Sequence, residues 1–232
     1  MAVLDSMTAL ELIGSGDARL FQIVGLSLFV TLSATLLAAA AGMPLGALLA
    51  LSAFPRAPRS DRARQRRDGP ATGGGRARGL LLLSRSGPLG ELGILFTPQA
   101  MIIAQAILIS PIIAALTRQV IEDLWAEYKD ELTAMHVAGA QRVATLLWDA
   151  RFSLITTLLA GFGRAAAEVG AVMIVGGNID GFTRVMTTTI ALETSKGNLP
   201  LAIGLGFVLI AVILIVNALA WAARGWSERH AG

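Results

Sequence analysis

Four stretches of this chain, 23–51, 96–116, 154–176 and 199–221, stay apolar over lengths that a soluble domain of this size rarely uses. About 20 helical residues cross the hydrocarbon core of a bilayer. Backbone placed there must satisfy its own hydrogen bonds, so the stretches predict membrane-crossing helices and an all-α integral membrane protein. The last stretch is the cleanest: it is uncharged, with Trp221 and Trp226 placed as an interfacial belt would be. The second has Pro98 near its start and Pro111 inside it, and the third holds Arg164 and Glu168. Composition agrees, with 54% hydrophobic and 15% charged residues. A signal-peptide reading of the first stretch fails on its length and on the acidic residues before it (Asp5, Glu11 and Asp17 against Arg19). With no cysteine, neither a disulfide framework nor a thiolate metal site is available. His136 and His230 are too far apart in sequence to suggest a metal site. No GxxxxGK[ST] phosphate loop, catalytic triad or cofactor motif occurs, so enzymatic chemistry is not expected.

The charges then set the topology. The basic tail Arg224–Arg229 predicts a cytoplasmic C-terminus (222–232) by the positive-inside rule. That puts 118–151 inside, 177–198 outside, and the acidic segment 1–22 outside as well. Four crossings would leave both termini on one side, whereas the charges want them on opposite sides. A fifth crossing is missing, and only the interval between Leu51 and Phe96 could hold it. Yet 56–78 contains eight arginines and two aspartates. At about 2.5–3.5 kcal/mol for each central arginine, inserting them would cost roughly 20–28 kcal/mol.

One alternative for this run is a solvated cytoplasmic loop. Another is a phosphate-binding patch, which the lack of interleaved aromatic residues argues against, so nucleic acid is not an expected partner. The run carries +6 against a chain total of +3, so the basic balance says nothing about partners. Read one base later, generic codons for Asp68–Ala77 can encode Met-Gly-Leu-Pro followed by valines. The favoured reading is that 56–79 is the wrong frame of a lost transmembrane helix, with normal frame resuming near Leu80.

The segment Gly161–Gly197 is the most informative. It sets an arginine and a carboxylate four residues apart in an apolar span, then breaks at Gly176-Gly177-Asn178 into threonine-rich sequence. Ionisable groups in a membrane are costly and mark pathways or internal pairs. At this spacing Arg164 and Glu168 can pair on one helix face, or Arg164 can attract an oxyanion while Glu168 holds it. The small residues Gly161, Gly163, Ala165, Ala166, Ala167, Gly170 and Ala171 favour close helix approach. Asn178, Thr187, Thr188 and Thr189 are candidates for an outer gate, since hydroxyls bind an oxyanion without trapping it by charge. Their other reading is as ordinary caps.

The wording AEVGAVMIVGGNI and IALETSKG resembles the permease subunits of bacterial ABC importers for oxyanions, most of all the tungstate type, related to those for molybdate and sulfate. The resemblance covers 80–221 well and 23–51 weakly. It implies a type I ABC importer transmembrane domain over 23–221 in the bacterial plasma (inner) membrane. Five helices are expected, the second replaced here by the Arg-rich segment. It also implies a homodimeric pore formed with a second copy, separate ATPase subunits that use the ATP, and a periplasmic or lipoprotein oxyanion-binding protein. Asp180, Arg184, Glu193 and Lys196 would face that protein. No cofactor is expected on this chain. An inactive permease remnant and a membrane scaffold are the alternatives.

The inner segment Glu131–Arg151 has apolar residues at Leu132, Met135, Val137, Val143, Leu146 and Leu147, the pattern of two helical pieces with a turn near Gly139. By resemblance it is the loop that docks into the ATPase, with Thr133, Ala134, Gly139, Ala140 and Arg142 as its candidate residues. Two departures from the family pattern are Thr133 in place of a glutamate and Arg151 in place of a proline.

Overall fold

A computed structural model describes residues 18–52 and 95–230. The Arg-rich segment 56–79 and nearly all of 1–22 lie outside the described residues. Among the described residues the structure is helical, without strands: α1 Ala18–Leu51, α2 Pro98–Ala134, α3 Gly139–Asp149, α4 Arg151–Ala166, α5 Gly170–Gly176, α6 Met186–Ser195 and α7 Leu199–His230.

The core of the fold is the pairing of α1 with α2. Small residues line the seam: Ala34, Ala38, Gly42, Gly46 and Ala47 are buried along α1. A Cβ added at Gly42 would lie 3.0 Å from the Ser110 carbonyl, and one at Gly46 only 2.4 Å from the Ala114 carbonyl. In lipid, helices associate through such close backbone contact rather than through hydrophobic burial. Contacts advance together along the two helices. Val30 clusters with Met101, Ala38 with Ala106 and Ile109, and Ala47 with Ile121. The two helices therefore run parallel.

α2 starts at an N-cap made by Thr97, whose hydroxyl accepts from the Ala100 amide, with Pro98 in the first turn. Its apolar part matches the expected span 96–116, but the helix does not stop there. It continues to Ala134 as a polar stalk carrying an Arg118–Glu122 ion pair at 2.7 Å. The stalk carries Glu122, Glu127, Glu131, Leu124, Leu132, Ala126 and Lys129, which favour helix whether or not lipid surrounds them. His136, with φ +52, reverses the chain after it.

α3 and α4 meet at Ala150 with a bend of 77°. With the end of the bundle at Leu51 and Ala134 named the inner end and the end at Ala18 and Pro98 the outer end, α3 lies across the inner end and α4 rises from it. The expected third span, 154–176, is not one helix: it breaks over Ala167–Val169 and resumes as α5. Glu168 is the physical reason. Its Oε1 accepts from the Ala171 amide at 3.4 Å, capping α5, and its backbone carbonyl accepts from Thr187 Oγ1 at 3.4 Å. The chain then turns through Gly177 (φ +70) and Asn178 (φ +52). A Cβ at Gly177 would meet the Phe96 ring at 2.6 Å, so glycine is required there on both counts. α6 sits beside the start of α1, where Ser27 Oγ accepts from the Met186 amide at 2.7 Å. α7 returns from there, with Leu201 and Leu205 against Leu20.

Gly46→Leu should wedge the seam apart. Overpacking of this kind costs about 1–3 kcal/mol, so a lower melting temperature and a lower yield of folded protein in detergent are expected. Gly25→Ala, with nothing within 4 Å of its added Cβ, should leave both unchanged.

Candidate functional site

Two places bring the candidate residues together, one at each end of the bundle. At the outer end, Arg164 Nη2 and Glu168 Oε2 are 2.8 Å apart, so the expected pair forms. It does not lie on a continuous helix face, however. Arg164 belongs to the last turn of α4, while Glu168 sits in the break after it. Glu168 is buried and Arg164 is about one-third exposed, so the carboxylate depends on its partner more than the guanidinium does.

The candidate gate residues divide into two kinds. Thr188 and Thr189 are buried with their hydroxyls committed to structure. Thr188 Oγ1 donates to Asn178 Oδ1 at 2.9 Å and accepts from the Val185 amide at 3.1 Å, while Thr189 Oγ1 donates to the Val185 carbonyl at 2.7 Å. These are helix-start bonds of α6, which also fix Asn178 in its left-handed turn. Thr187 differs: it is half-buried and lines a narrow cleft of about 20 Å³ with Ser27, Thr31, Gln105 and Phe162. Its only hydrogen bond here is the long one to the Glu168 carbonyl.

Gln105 is a site residue that sequence reasoning missed. It is buried in α2, donates from Nε2 to the Ala165 carbonyl at 3.2 Å, and leaves Oε1 without a protein partner. An amide in an otherwise apolar run was the available signal. Thr183, also missed, ties the outer turn together by donating to the Gly176 carbonyl and accepting from the Ile179 amide. Of the four outer charges, Arg184 pairs with Asp180 at 2.9 Å and Lys196 with Glu193 at 2.8 Å. Glu193 is buried and also accepts from Asn198 Nδ2, so that pair closes the α6–α7 turn.

At the inner end, the turn expected near Gly139 occupies Met135–Ala138, and Gly139 begins α3. Thr133 and Ala134 close α2: Thr133 Oγ1 donates to the Lys129 carbonyl at 2.6 Å, and the Ala134 carbonyl lies 2.9 Å from His136 Nδ1. Gly139 and Ala140 are exposed, and nothing lies within 4 Å of a Cβ built on Gly139, so open space rather than crowding surrounds it. Arg142 is the structural pin. Its guanidinium stacks 4.9 Å from the Trp125 ring of the stalk, and Nη2 donates to the Val137 carbonyl at 3.0 Å. Leu146 is the one fully buried residue of α3, packed with Ile121, Ala150 and Leu154. Met135 and Trp148 are left 73% and 72% exposed, with the Arg151 guanidinium stacked 5.1 Å from the Trp148 ring. The acidic stalk beside it holds the Tyr128 hydroxyl above its ordinary pKa, chiefly through Glu127 and then Asp149. No group of three or more metal-ligating side chains occurs among the described residues.

Fold and site together define a multi-pass helical membrane protein with a short helix turned across one end of its bundle. Over 221 residues the chain is 38% identical to the tungstate uptake system permease TupB of Peptoclostridium acidaminophilum, covering 93% of this chain and 95% of that one. It is 43% identical over 145 residues to a probable anion ABC transporter permease of Haloferax volcanii, covering 60% of this chain and 62% of the relative. The TupB of Campylobacter jejuni is 43% identical over 136 residues, 59% of this chain and 57% of that one. No family model matches the chain. The chain belongs to the anion ABC transporter permeases of the TupB type.

Arg164→Gln should lower stability more than Glu168→Gln, because it strands the buried carboxylate. A loss of about 1–3 kcal/mol is expected, read as melting temperature in detergent. The double variant should regain part of it, and strict additivity would show that the pair does not act as a unit.

Proposed function

We propose that this chain is the membrane-spanning subunit of an ATP-driven importer for tungstate or a related oxyanion. It works with a second copy of itself, separate ATPase subunits and an external anion-binding protein. The observation that carries the coupling is the geometry of α3: pinned to the stalk by Arg142 and turned 77° from α4, it leaves Trp148 exposed, as the turn before it leaves Met135. An apolar edge at the end of a rigid helix suits insertion into a partner's cleft, since ATP-driven closure must reach the membrane as a rigid-body movement. Leu146 shares one cluster with Ala47, Ile121 and Leu154, so a push on α3 is felt by α1, α2 and α4 together.

Basic residues support the orientation. Arg118, Arg142 and Arg151 stand at the α3 end, and the sequence of the last helix ends with Arg224 and Arg229, which supports reading this as the cytoplasmic side, with the C-terminus on it. The opposite end, with Arg164, Thr187 and the paired charges Asp180–Arg184 and Glu193–Lys196, then faces the binding protein. Arg164 supplies positive potential, tempered by Glu168, so an anion is attracted without being held. The names of the relatives support tungstate as the cargo.

Reconstitution into vesicles with an ABC ATPase subunit and an oxyanion-binding protein should give ATP-dependent tungstate uptake. Trp148→Glu should lower uptake at least tenfold while leaving the melting temperature within a degree or two. Full uptake by that variant, or uptake that needs no ATP, would overturn the coupling role of α3.

A further inference from the structure

The narrow cleft beside Thr187 is walled by residues of α1, α2, α4, α5, α6 and α7. Much of the wall is apolar, with Phe162, Val172, Leu209 and Ile213 in it. Four polar side chains interrupt it: Ser27, Thr31, Gln105 and Thr187. Inside a helical bundle in lipid, a polar group without a partner is costly, so each of these must be accounted for.

Their bonds within the protein leave capacity over. Gln105 is 3% exposed; Nε2 is spent on the Ala165 carbonyl, and Oε1 accepts from nothing in the protein. Turning the amide over does not help, because Oε1 would then face the Ala165 carbonyl, oxygen against oxygen. The buried Ser27 accepts the Met186 amide at its Oγ, which leaves its hydroxyl hydrogen to give. Thr31, also buried, stands four residues on and faces the same way. Its carbonyl accepts from Thr35, and among the described residues its hydroxyl bonds to no other protein group. Thr187 adds a hydroxyl held only by the 3.4 Å bond to the Glu168 carbonyl.

One strong acceptor and three hydroxyls therefore line one small space, and its size decides what fits. The room is about 20 Å³. A water bound inside a protein needs about 10–15 Å³ and roughly 2–4 polar partners. Its hydrogens suit Gln105 Oε1 and Thr187 Oγ1, and its lone pairs suit the Ser27 and Thr31 hydroxyls. A tetrahedral oxyanion fails twice: it is far larger, and it would meet Oε1 lone pair to lone pair. A lipid tail would leave Oε1 dry.

We propose that this cleft binds a single structural water, positioned by Gln105, that joins α2 to α1 and α6. One end of the Gln105 amide holds the last turn of α4 through the Ala165 carbonyl. The other end, through the water, holds the contact between α1 and α6. The water belongs to the packing of the outer half of the bundle and not to the anion's route, so nothing about it depends on which anion is carried.

Radiolytic hydroxyl-radical footprinting of the full-length protein in nanodiscs tests this. Radicals formed from a bound water oxidise the side chains beside it even where bulk solvent does not reach. Met186 and Met101 supply an internal comparison: they are 1% and 0% exposed, but only Met186 lines the cleft. Met186 is expected to oxidise several-fold faster than Met101. Gln105→Leu should bring the two rates together, and Gln105→Glu, which keeps an acceptor oxygen, should preserve the difference. Equal rates in the unaltered protein, or a folded Gln105→Leu variant that keeps the difference, would overturn the proposal. So would a Met186 rate that falls when tungstate is added, because an anion would then occupy the cleft. If Gln105→Leu does not fold, the comparison in the unaltered protein decides alone. Failure of tungstate uptake would leave the result untouched, since the measurement involves neither ATP nor transport.

Discussion

Close contact between the backbones of α1 and α2 is the constraint on which the remaining packing depends. In lipid no hydrophobic force draws two apolar helices together, so the energy must come from dispersion contacts made at short range. Gly42 and Gly46 permit that range, and Ser110, Ala114 and Thr117 meet them from α2. Pro44 and Pro111 fall in the same region, each removing one intrahelical hydrogen bond donor. The Ser110 hydroxyl donates to the Ala106 carbonyl at 2.7 Å, one turn back.

Glu168 does for the outer end what the glycines do for the middle. A single residue pairs with Arg164, caps the first amides of α5 and offers its carbonyl to Thr187 of α6. Each of these bonds crosses a joint between elements rather than lying within one. The carboxylate is worth its desolvation only because both its partners, the Arg164 guanidinium and the Ala171 amide, are present, since a buried charge with a missing partner is strongly destabilising. The pair is thus a structural element and, through the part-exposed guanidinium, a source of potential at the outer face.

Much of this was legible in the sequence, and what escaped did so for identifiable reasons. Apolar length located α1, the first half of α2, and α7, because the hydrocarbon core sets that length directly. Gly176-Gly177-Asn178 marked the end of a span, and the turn near Gly139 was visible in the spacing of Leu132 through Leu147. The break at Ala167–Val169 was not, because Ala-Ala-Ala-Glu is favourable helix sequence that tertiary bonds to Thr187 and Ala171 override. Hydropathy also ended α2 at 116, where lipid stops but helix propensity does not. The threonines looked alike as a run, yet only contacts separate Thr187, on the cleft, from Thr188 and Thr189, consumed as caps. Gln105 and the Arg142–Trp125 stack depend on partners 60 and 17 positions away, distances at which a single sequence carries no signal.

The length of α2 connects the two ends. Its 37 residues make a rod of about 55 Å, longer than the hydrocarbon core is thick. The inner end holds α3 through Trp125 and Ile121, and the outer end holds α5 through Met101, which lies under Gly176, and through Phe96. A displacement of α3 thus reaches the outer break by two routes, directly along α4 and through α2. α4 ends at the break, held to α2 by the Gln105–Ala165 bond, and α5 beyond it is held to α2 separately, by Met101 and Phe96. Relative movement of the two rods would consequently be taken up at Ala167–Val169, the point where Glu168 joins α4, α5 and α6. Under the proposed coupling, these few polar bonds gathered at one joint are where the outer end would respond to an event at the inner end.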